Sequence, residues 1–236
     1  MPAVPGRGRC AGQKFFLATP PPRSIVGSMV DCLAVAHRRG VAEAGQEDGD
    51  AELVAAVQSG RMAAFDILVR RHRPRVVGVL YHLTGNREDA ADLCQEAFVR
   101  ALCHIHDFRG RSKFYTWLYR IAVNLALEQM RRRRLRSFYS LEQLASGAES
   151  DGVVLALASQ LKTDKALLIK ELQQQLNGAL QELSPKHRTV VVLAEVEGLS
   201  MEEIGQVLGC STGTVRSRLH YGKERLRSLL GRYLQS

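Results

Sequence analysis

The sequence predicts an all-α protein: two small helical domains joined by a flexible linker, the C-terminal one a helix-turn-helix. Three observations point to it. Apolar residues recur at intervals of three and four, the period of helices buried along one stripe. Helix punctuation brackets these runs, with Ser, Asp or Asn ahead and Gly or Pro behind. Between Ser137 and Leu161 the pattern lapses: this stretch holds no lysine or arginine, carries Glu142, Glu149 and Asp151 among Ser and Gly, and reads as the linker.

Length and charge bound the rest. A chain of 236 residues allows one large domain or two small ones. The net charge of +9 suggests a polyanionic partner, nucleic acid or a phospholipid surface. No apolar run approaches the roughly 20 residues of a spanning helix, so no membrane insertion is expected. Five cysteines lie scattered without a C-x-x-C pair, as reduced thiols of a cytoplasmic protein.

Residues 1–49 read as an N-terminal extension. Residues 1–28 contain no Asp or Glu and hold Pro20, Pro21 and Pro22, a composition expected to be disordered, and Met29 is a second candidate start beside Met1. The first domain is expected over 50–136. Asp50 is placed to cap a helix carrying Leu53, Val54 and Val57, which Gly60 breaks. A second helix, Met62 to His72, carries Phe65, Leu68 and Val69; Pro74 starts a third, with Val76, Val77, Leu80 and Leu83 inward and Gly85 at its end. Asn86 caps a fourth helix, Arg87 to His104, with Glu88 and Asp89 in its first turn, where the helix dipole favours anions.

That fourth helix has two faces. Ala90, Cys94, Ala97, Phe98 and Ala101 share one side, and Glu88, Asp89, Asp92, Gln95 and Glu96 share the other. An acidic face in a basic protein would repel DNA, so it meets either water or a basic partner. Cys103, His104, His106 and Asp107 follow no structural-zinc spacing. No phosphate-binding glycine loop or nucleophile signature occurs, and neither an enzyme nor a cofactor is expected.

The stretch from Phe108 to Arg136 interleaves Phe108, Phe114, Tyr115, Trp117 and Tyr119 with Arg109, Arg111, Lys113 and Arg120, and closes on Arg131 to Arg134. Flat rings on which bases stack, set among cations that neutralise phosphates, suit single-stranded nucleic acid. Phe114, Leu118, Ile121 and Leu125 fall on one stripe of a helix running to about Arg132. Trp117 and Leu118 read as core; Phe108, in a Gly- and Arg-rich loop, and Asn124, inside the helix, are not explained that way.

After the linker, 137–163, the C-terminal domain is expected over 164–236. Its first helix, Asp164 to Glu182, carries Leu167, Leu168, Leu172, Leu176 and Leu180; Ser184 and Pro185 open the next, and Gly198 ends it. Ser200 and Glu203 form a capping box with Leu199 and Ile204 as its staple, Gly209 ends that short helix, and Ser211 caps the last. Short helix, glycine turn and second helix are the helix-turn-helix pattern. On its second helix Val215, Leu219, Gly222 and Leu226 face inward; Gly213, Arg216, Ser217, His220 and Tyr221 face outward, with Arg218 and Lys223 on the flanks for phosphates.

The segments NREDAADLCQEAFVRA, FRGRSKFYTWLYRIAVNLALEQMRR and LSMEEIGQVLGCSTGTVRSRLHYGKERL, in this order, resemble the extracytoplasmic-function (ECF) sigma factors of bacterial RNA polymerase. The resemblance spans about Asp50 to Arg134 and Asp164 to Leu230. It implies a first domain that binds core RNA polymerase and melts the −10 element, and a second that reads the −35 element of promoter DNA. Core polymerase would dock on the acidic helix through Asp89, Asp92, Gln95 and Glu96. The −10 single strand would meet Phe108, Arg109, Lys113, Arg120, Ile121 and Asn124, with Phe108, Ile121 and Asn124 around a flipped-out base. The −35 duplex would meet Thr214, Arg216, Ser217, Arg218, His220, Tyr221 and Lys223. An anti-sigma factor is a further partner that the family implies. Two other readings stand beside it, a stand-alone helix-turn-helix regulator and a protein that binds single strands through Phe108 to Arg134 alone. Residues 86–134 separate the first from a sigma factor, since a regulator needs neither a melting surface nor an acidic dock.

Overall fold

The computed structural model describes residues 48–139 and 163–233, and among these every regular element is helical. The order is α1 (Asp48–Gln58), α2 (Ala63–Thr84), α3 (Arg87–Cys103), a 3₁₀ turn (Ile105–Asp107), α4 (Phe114–Tyr139), α5 (Thr163–Gln181), α6 (Pro185–Val191), α7 (Met201–Leu208) and α8 (Thr212–Tyr233). The N-terminal extension and the expected linker fall almost wholly outside the described residues. No described helix is long and apolar enough to cross a membrane.

Helices α1 to α4 form the first unit, with α2 at its centre against α1, α3 and α4. Its core is Leu68, Val76, Val79, Leu80 and Leu83 of α2, the alanine face of α3, and Leu118, Ala122, Val123 and Ala126 of α4. The small residues of α3 let its axis approach closely, and Cys94 lies among them with burial pushing its thiol up to about 11, so it packs as an inert apolar group.

Two expectations for this unit are corrected. Pro74 does not begin a helix; it sits inside the single helix α2. A proline there removes one backbone bond. The buried stripe nevertheless continues in register across it, through Leu68, His72, Val76 and Leu80, and burial outweighs the lost bond. Asp50 does not cap α1 from outside. It lies within the first turn, 5% exposed, where its carboxylate accepts from Arg71 at 2.5 Å and pairs with His72 Nε2 at 2.7 Å. Both partners stand just before Pro74, so Asp50 clamps the weakened turn of α2 from a neighbouring helix.

The second unit, α5 to α8, holds the expected punctuation. Ser200 and Glu203 make both hydrogen bonds of the capping box, Gly209 ends α7 at φ 62°, and the Ser211 hydroxyl accepts from Thr214 N–H at 3.2 Å. Leu199 and Ile204 are both buried. Pro185 takes the first position of α6, but the Ser184 side chain makes no capping bond; its carbonyl accepts from His187 and Arg188 instead. After Val191 the helix widens into a π turn, Val192–Val196, before Gly198 reverses the chain at φ 71°. Gly222 is buried where α8 crosses α6, and a Cβ there would lie 2.7 Å from Val191 Cγ2.

Candidate nucleic-acid interface

The aromatic–basic stretch starts on a loop held from below. Gln58 Nε2 donates to the carbonyls of Ile105 at 2.7 Å and Phe108 at 3.0 Å, tying the segment after the 3₁₀ turn to α1. Gly110, at φ 66°, turns the chain into α4. The Phe108 ring is half-buried, at 5.2 Å from Trp117 and 6.0 Å, edge to face, from Phe114. Trp117, Ile121 and Asn124 follow at helical spacing, the first two half-buried and Asn124 exposed. The indentation beside Asn124 is walled by Leu127, Glu128 and Arg131. Phe108, Ile121 and Asn124 therefore lie along a strip about 10 Å long, at 1.5 Å of rise per residue from Trp117 to Asn124. Arg109 and Arg120 are exposed beside it, and Lys113 lies over the Tyr115 ring.

The acidic face of α3 divides into two parts. Asp92 and Gln95 are exposed, and Glu96 is held by Arg100 at 2.6 Å one turn on. Asp89 is half-buried, and Oδ1 accepts from Gln129 at 2.8 Å and Arg133 at 2.5 Å. Of the four arginines that close the stretch, Arg132 pairs with Glu128 and Arg133 with Asp89. The surface beyond α4 is thus less cationic than its sequence.

On α8, Val215, Leu219, Gly222 and Leu226 are buried, which turns Arg216, Ser217, His220 and Tyr221 outward. Tyr221 is 59% exposed, with its ring against His220. Thr214 and Arg218 are half-buried at the edge, and Lys223 pairs with Glu195 at 2.9 Å.

The contacts that join the two units were not foreseen in the sequence, although Lys113, Tyr115, Tyr119 and Glu203 take other roles there. Glu197 Oε2 accepts from Tyr119 at 2.5 Å and from Arg75 Nε at 3.2 Å, with the Glu197 side chain fully covered. Tyr115 donates to Glu203, and Lys113 Nζ lies 3.9 Å from the same carboxylate. At the end of α2, Arg188 Nη1 donates to the Leu83 carbonyl at 2.5 Å and Gln181 Nε2 to the His82 carbonyl at 3.0 Å, satisfying terminal carbonyls from outside the helix. Burial and the adjacent Glu197 charge push the Tyr119 hydroxyl well up, so it remains a donor. Burial also draws the Arg188 guanidinium down to about 10, where it keeps its charge at neutral pH. Burial favours the neutral form of Glu203, but hydrogen bonds from Tyr115 and Ser200 and the Lys113 charge outweigh it and hold the carboxyl below its usual range. One sequence signal was available for Arg188, a charge just ahead of the apolar run Val190 to Ala194.

A helix-turn-helix with a basic outer face, joined to a helical unit bearing an aromatic–basic strip, defines a nucleic-acid-binding protein. Residues 68–136 match Sigma-70 region 2, and residues 173–226 match Sigma-70, region 4. The chain is 37% identical over 178 residues to the RNA polymerase sigma-H factor of Pseudomonas aeruginosa, covering 75% of this chain and 92% of that one. It is 36% identical to the ECF RNA polymerase sigma factor SigW of Bacillus subtilis (74% of this chain, 92% of that one). Its fold is similar to that of the sigma factor RpoE of Bartonella quintana, solved with the anti-sigma factor NepR, at a TM-score of 0.57 and 24% identity, covering 71% of this chain and 96% of that one. The chain belongs to the ECF sigma factors of bacterial RNA polymerase, and its function is promoter-specific initiation of transcription.

Proposed function

We propose that the two units, with boundaries near 50–136 and 164–236, divide promoter recognition between them. Core RNA polymerase docks on the acidic side of α3 through Asp92, Gln95 and Glu96, with Asp89 serving that face from below by fixing α4 against it. The strip from Phe108 to Asn124 receives the −10 strand: rings stack a base, the Asn124 amide selects it, and Arg109, Lys113 and Arg120 neutralise phosphates. The outer face of α8 enters the −35 major groove, where Arg216, Ser217, His220 and Tyr221 meet base edges and Thr214, Arg218 and Lys223 meet the backbone. The chain lends recognition and strand opening to a polymerase that supplies the catalysis, has no enzymatic activity of its own, acts in the cytoplasm, and is held in reserve by an anti-sigma factor.

The observation that carries this reading is the exposure of three chemically distinct surfaces on one chain: an acidic helix face, an aromatic–basic strip and a basic reading helix. A stand-alone regulator has use only for the third. Run-off transcription with core polymerase and a genomic promoter pool tests it. The expected result is transcripts from a subset of promoters that require this chain. Tight, sequence-specific binding of the free protein to a promoter duplex, with no transcripts, would favour the stand-alone regulator.

A further inference from the structure

Gln58 is the last residue of α1 and precedes residue 68, where the match to Sigma-70 region 2 begins. Its side chain is nonetheless built into the aromatic–basic strip. Gly60, at φ 93°, turns the main chain away two residues on, while the half-buried Gln58 amide reaches the loop before α4. Both hydrogens of Nε2 are used there, one on the Ile105 carbonyl at 2.7 Å and one on the Phe108 carbonyl at 3.0 Å. The Ile105 carbonyl also accepts from Phe108 N–H at 3.2 Å, which closes the 3₁₀ turn. Phe108 thus has its N–H engaged within the turn and its carbonyl held by a helix 50 positions away. With the main chain fixed, the ring keeps only its own side-chain rotations, and packing on Phe114 and Trp117 limits those. The other end of α1 serves the same rings: Asp50 pairs with His72 Nε2 at 2.7 Å, and the His72 ring lies 5.5 Å from that of Phe114.

We infer that Gln58 is a positioning residue for strand opening: by holding the Ile105 and Phe108 carbonyls it sets the Phe108 ring in its base-receiving place before DNA arrives, and so makes α1 part of the melting apparatus. This rests on the proposed reading of Phe108 as a ring that stacks an extruded −10 base. Loop residues are ordinarily mobile. A ring that samples several places captures a base only in proportion to the time it spends in the right one. Gln58 raises that proportion, because the cost of ordering the loop is met in folding rather than at the moment of opening. It touches no DNA in this role and acts through Phe108.

The test uses the full chain with core polymerase. Gln58→Met keeps the length and helix preference of the side chain but removes both donors. Gln58→Lys keeps the reach and supplies donors again. Each is made alone and together with Phe108→Leu. Permanganate footprinting follows opening of duplex promoter. Acrylamide quenching of Trp117, the one tryptophan of the chain, follows the ring cluster in the free protein. The expected result is that Gln58→Met opens duplex about 3–10-fold more slowly, exposes Trp117 to quencher, and binds core polymerase normally. Gln58→Lys should restore both opening and quenching. In the Phe108→Leu background Gln58→Met should change opening by less than about twofold, because the ring through which it acts is gone. Gln58→Glu keeps the shape, also lacks the donors, and decides the matter if Gln58→Met loses helix content by circular dichroism. A full additional loss in the Phe108→Leu background, or equal losses in the methionine and lysine variants, makes Gln58 a merely structural residue and overturns the inference. Normal opening by Gln58→Met beside poor opening by Phe108→Leu overturns it while leaving the −10 reading intact. Normal opening by Phe108→Leu fails that reading itself, and the role of Gln58 falls with it.

Discussion

Arg133 donates to the carboxylate of Asp89 at 2.5 Å and so pins the C-terminal half of α4 to the first turn of α3. Asp89 and Asp92, three residues apart on one acidic helix, consequently have different duties. Asp89→Ala should lower stability by about 1–2 kcal/mol, because a half-buried carboxylate loses two donors, discounted for the partial exposure of Arg133. Asp92→Ala should stay within ~0.5 kcal/mol of wild type, while Asp92→Lys and Glu96→Lys should weaken binding to core polymerase. Urea denaturation and core-binding titration check these together. Unchanged affinity in both charge reversals would remove α3 as the dock.

Arg216 and Lys223 separate base reading from charge. A bidentate arginine–guanine contact contributes about 1–3 kcal/mol of discrimination. Arg216→Ala should reduce transcription and relax preference at one −35 position. Lys223→Ala should weaken binding evenly across sequences and flatten its salt dependence. Identical behaviour of the two variants in a binding screen at several salt concentrations would make Arg216 a backbone contact.

Opening of the −10 element is tested at Asn124, which is exposed and carries little of the fold, and at Phe108. Phe108→Leu keeps apolar packing on Trp117 while removing the ring face. Base stacking contributes about 1–3 kcal/mol, comparable to the cost of unstacking a base. Both Phe108→Leu and Asn124→Ala should open duplex promoter poorly by permanganate footprinting and recover partly on a pre-melted bubble, with normal binding to core polymerase. Normal opening in both variants would take them out of the melting strip.

Beside Glu203, Asp50 contributes to the acid limb of stability. Burial pushes its carboxyl up, but the hydrogen bonds and charges of His72 and Arg71 outweigh this and leave it below its ordinary value of 3.8. A carboxyl lowered in the folded state contributes stability that is fully present above its unfolded value, and that contribution is lost as pH falls through the folded one. Thermal melts between about pH 7 and pH 3 should therefore show Asp50→Asn less stable than wild type near neutrality, with the gap closing below about pH 4. A constant gap throughout would mean that the clamp on α2 does not depend on the Asp50 charge.

Much of the fold was legible because its signals are local. The Ser200–Glu203 box, the glycines at 85 and 209, and the inward face of α8 each depend on a few neighbouring residues. Pro74 was misread because the local rule for proline is correct and loses only to burial along the whole of α2. The π turn after Val191 has no local signature of its own. Glu203 shows the limit most clearly. Its capping role can be read three residues away, whereas its bond to Tyr115 spans 88 positions and depends on how the two units meet. The site followed the same division. Arg216 and Asp92 could be placed by helical phase alone, while the occupation of Asp89 by Arg133 and of Lys113 by Glu203 could not.

The grip on Glu197 and Glu203 comes from α2 and α4, and both precede the second unit in the chain. They are complete before α5 is synthesised. At about 5–20 residues per second, translation from the end of α4 to the last residue takes several seconds, whereas helices form within about a microsecond. Each new molecule thus passes through an interval in which its acidic face is finished and nothing yet exists to close over Tyr115 and Tyr119. The order of synthesis leaves the Tyr115 and Tyr119 hydroxyls to water until the second unit emerges, and their bonds to Glu203 and Glu197 come last of all.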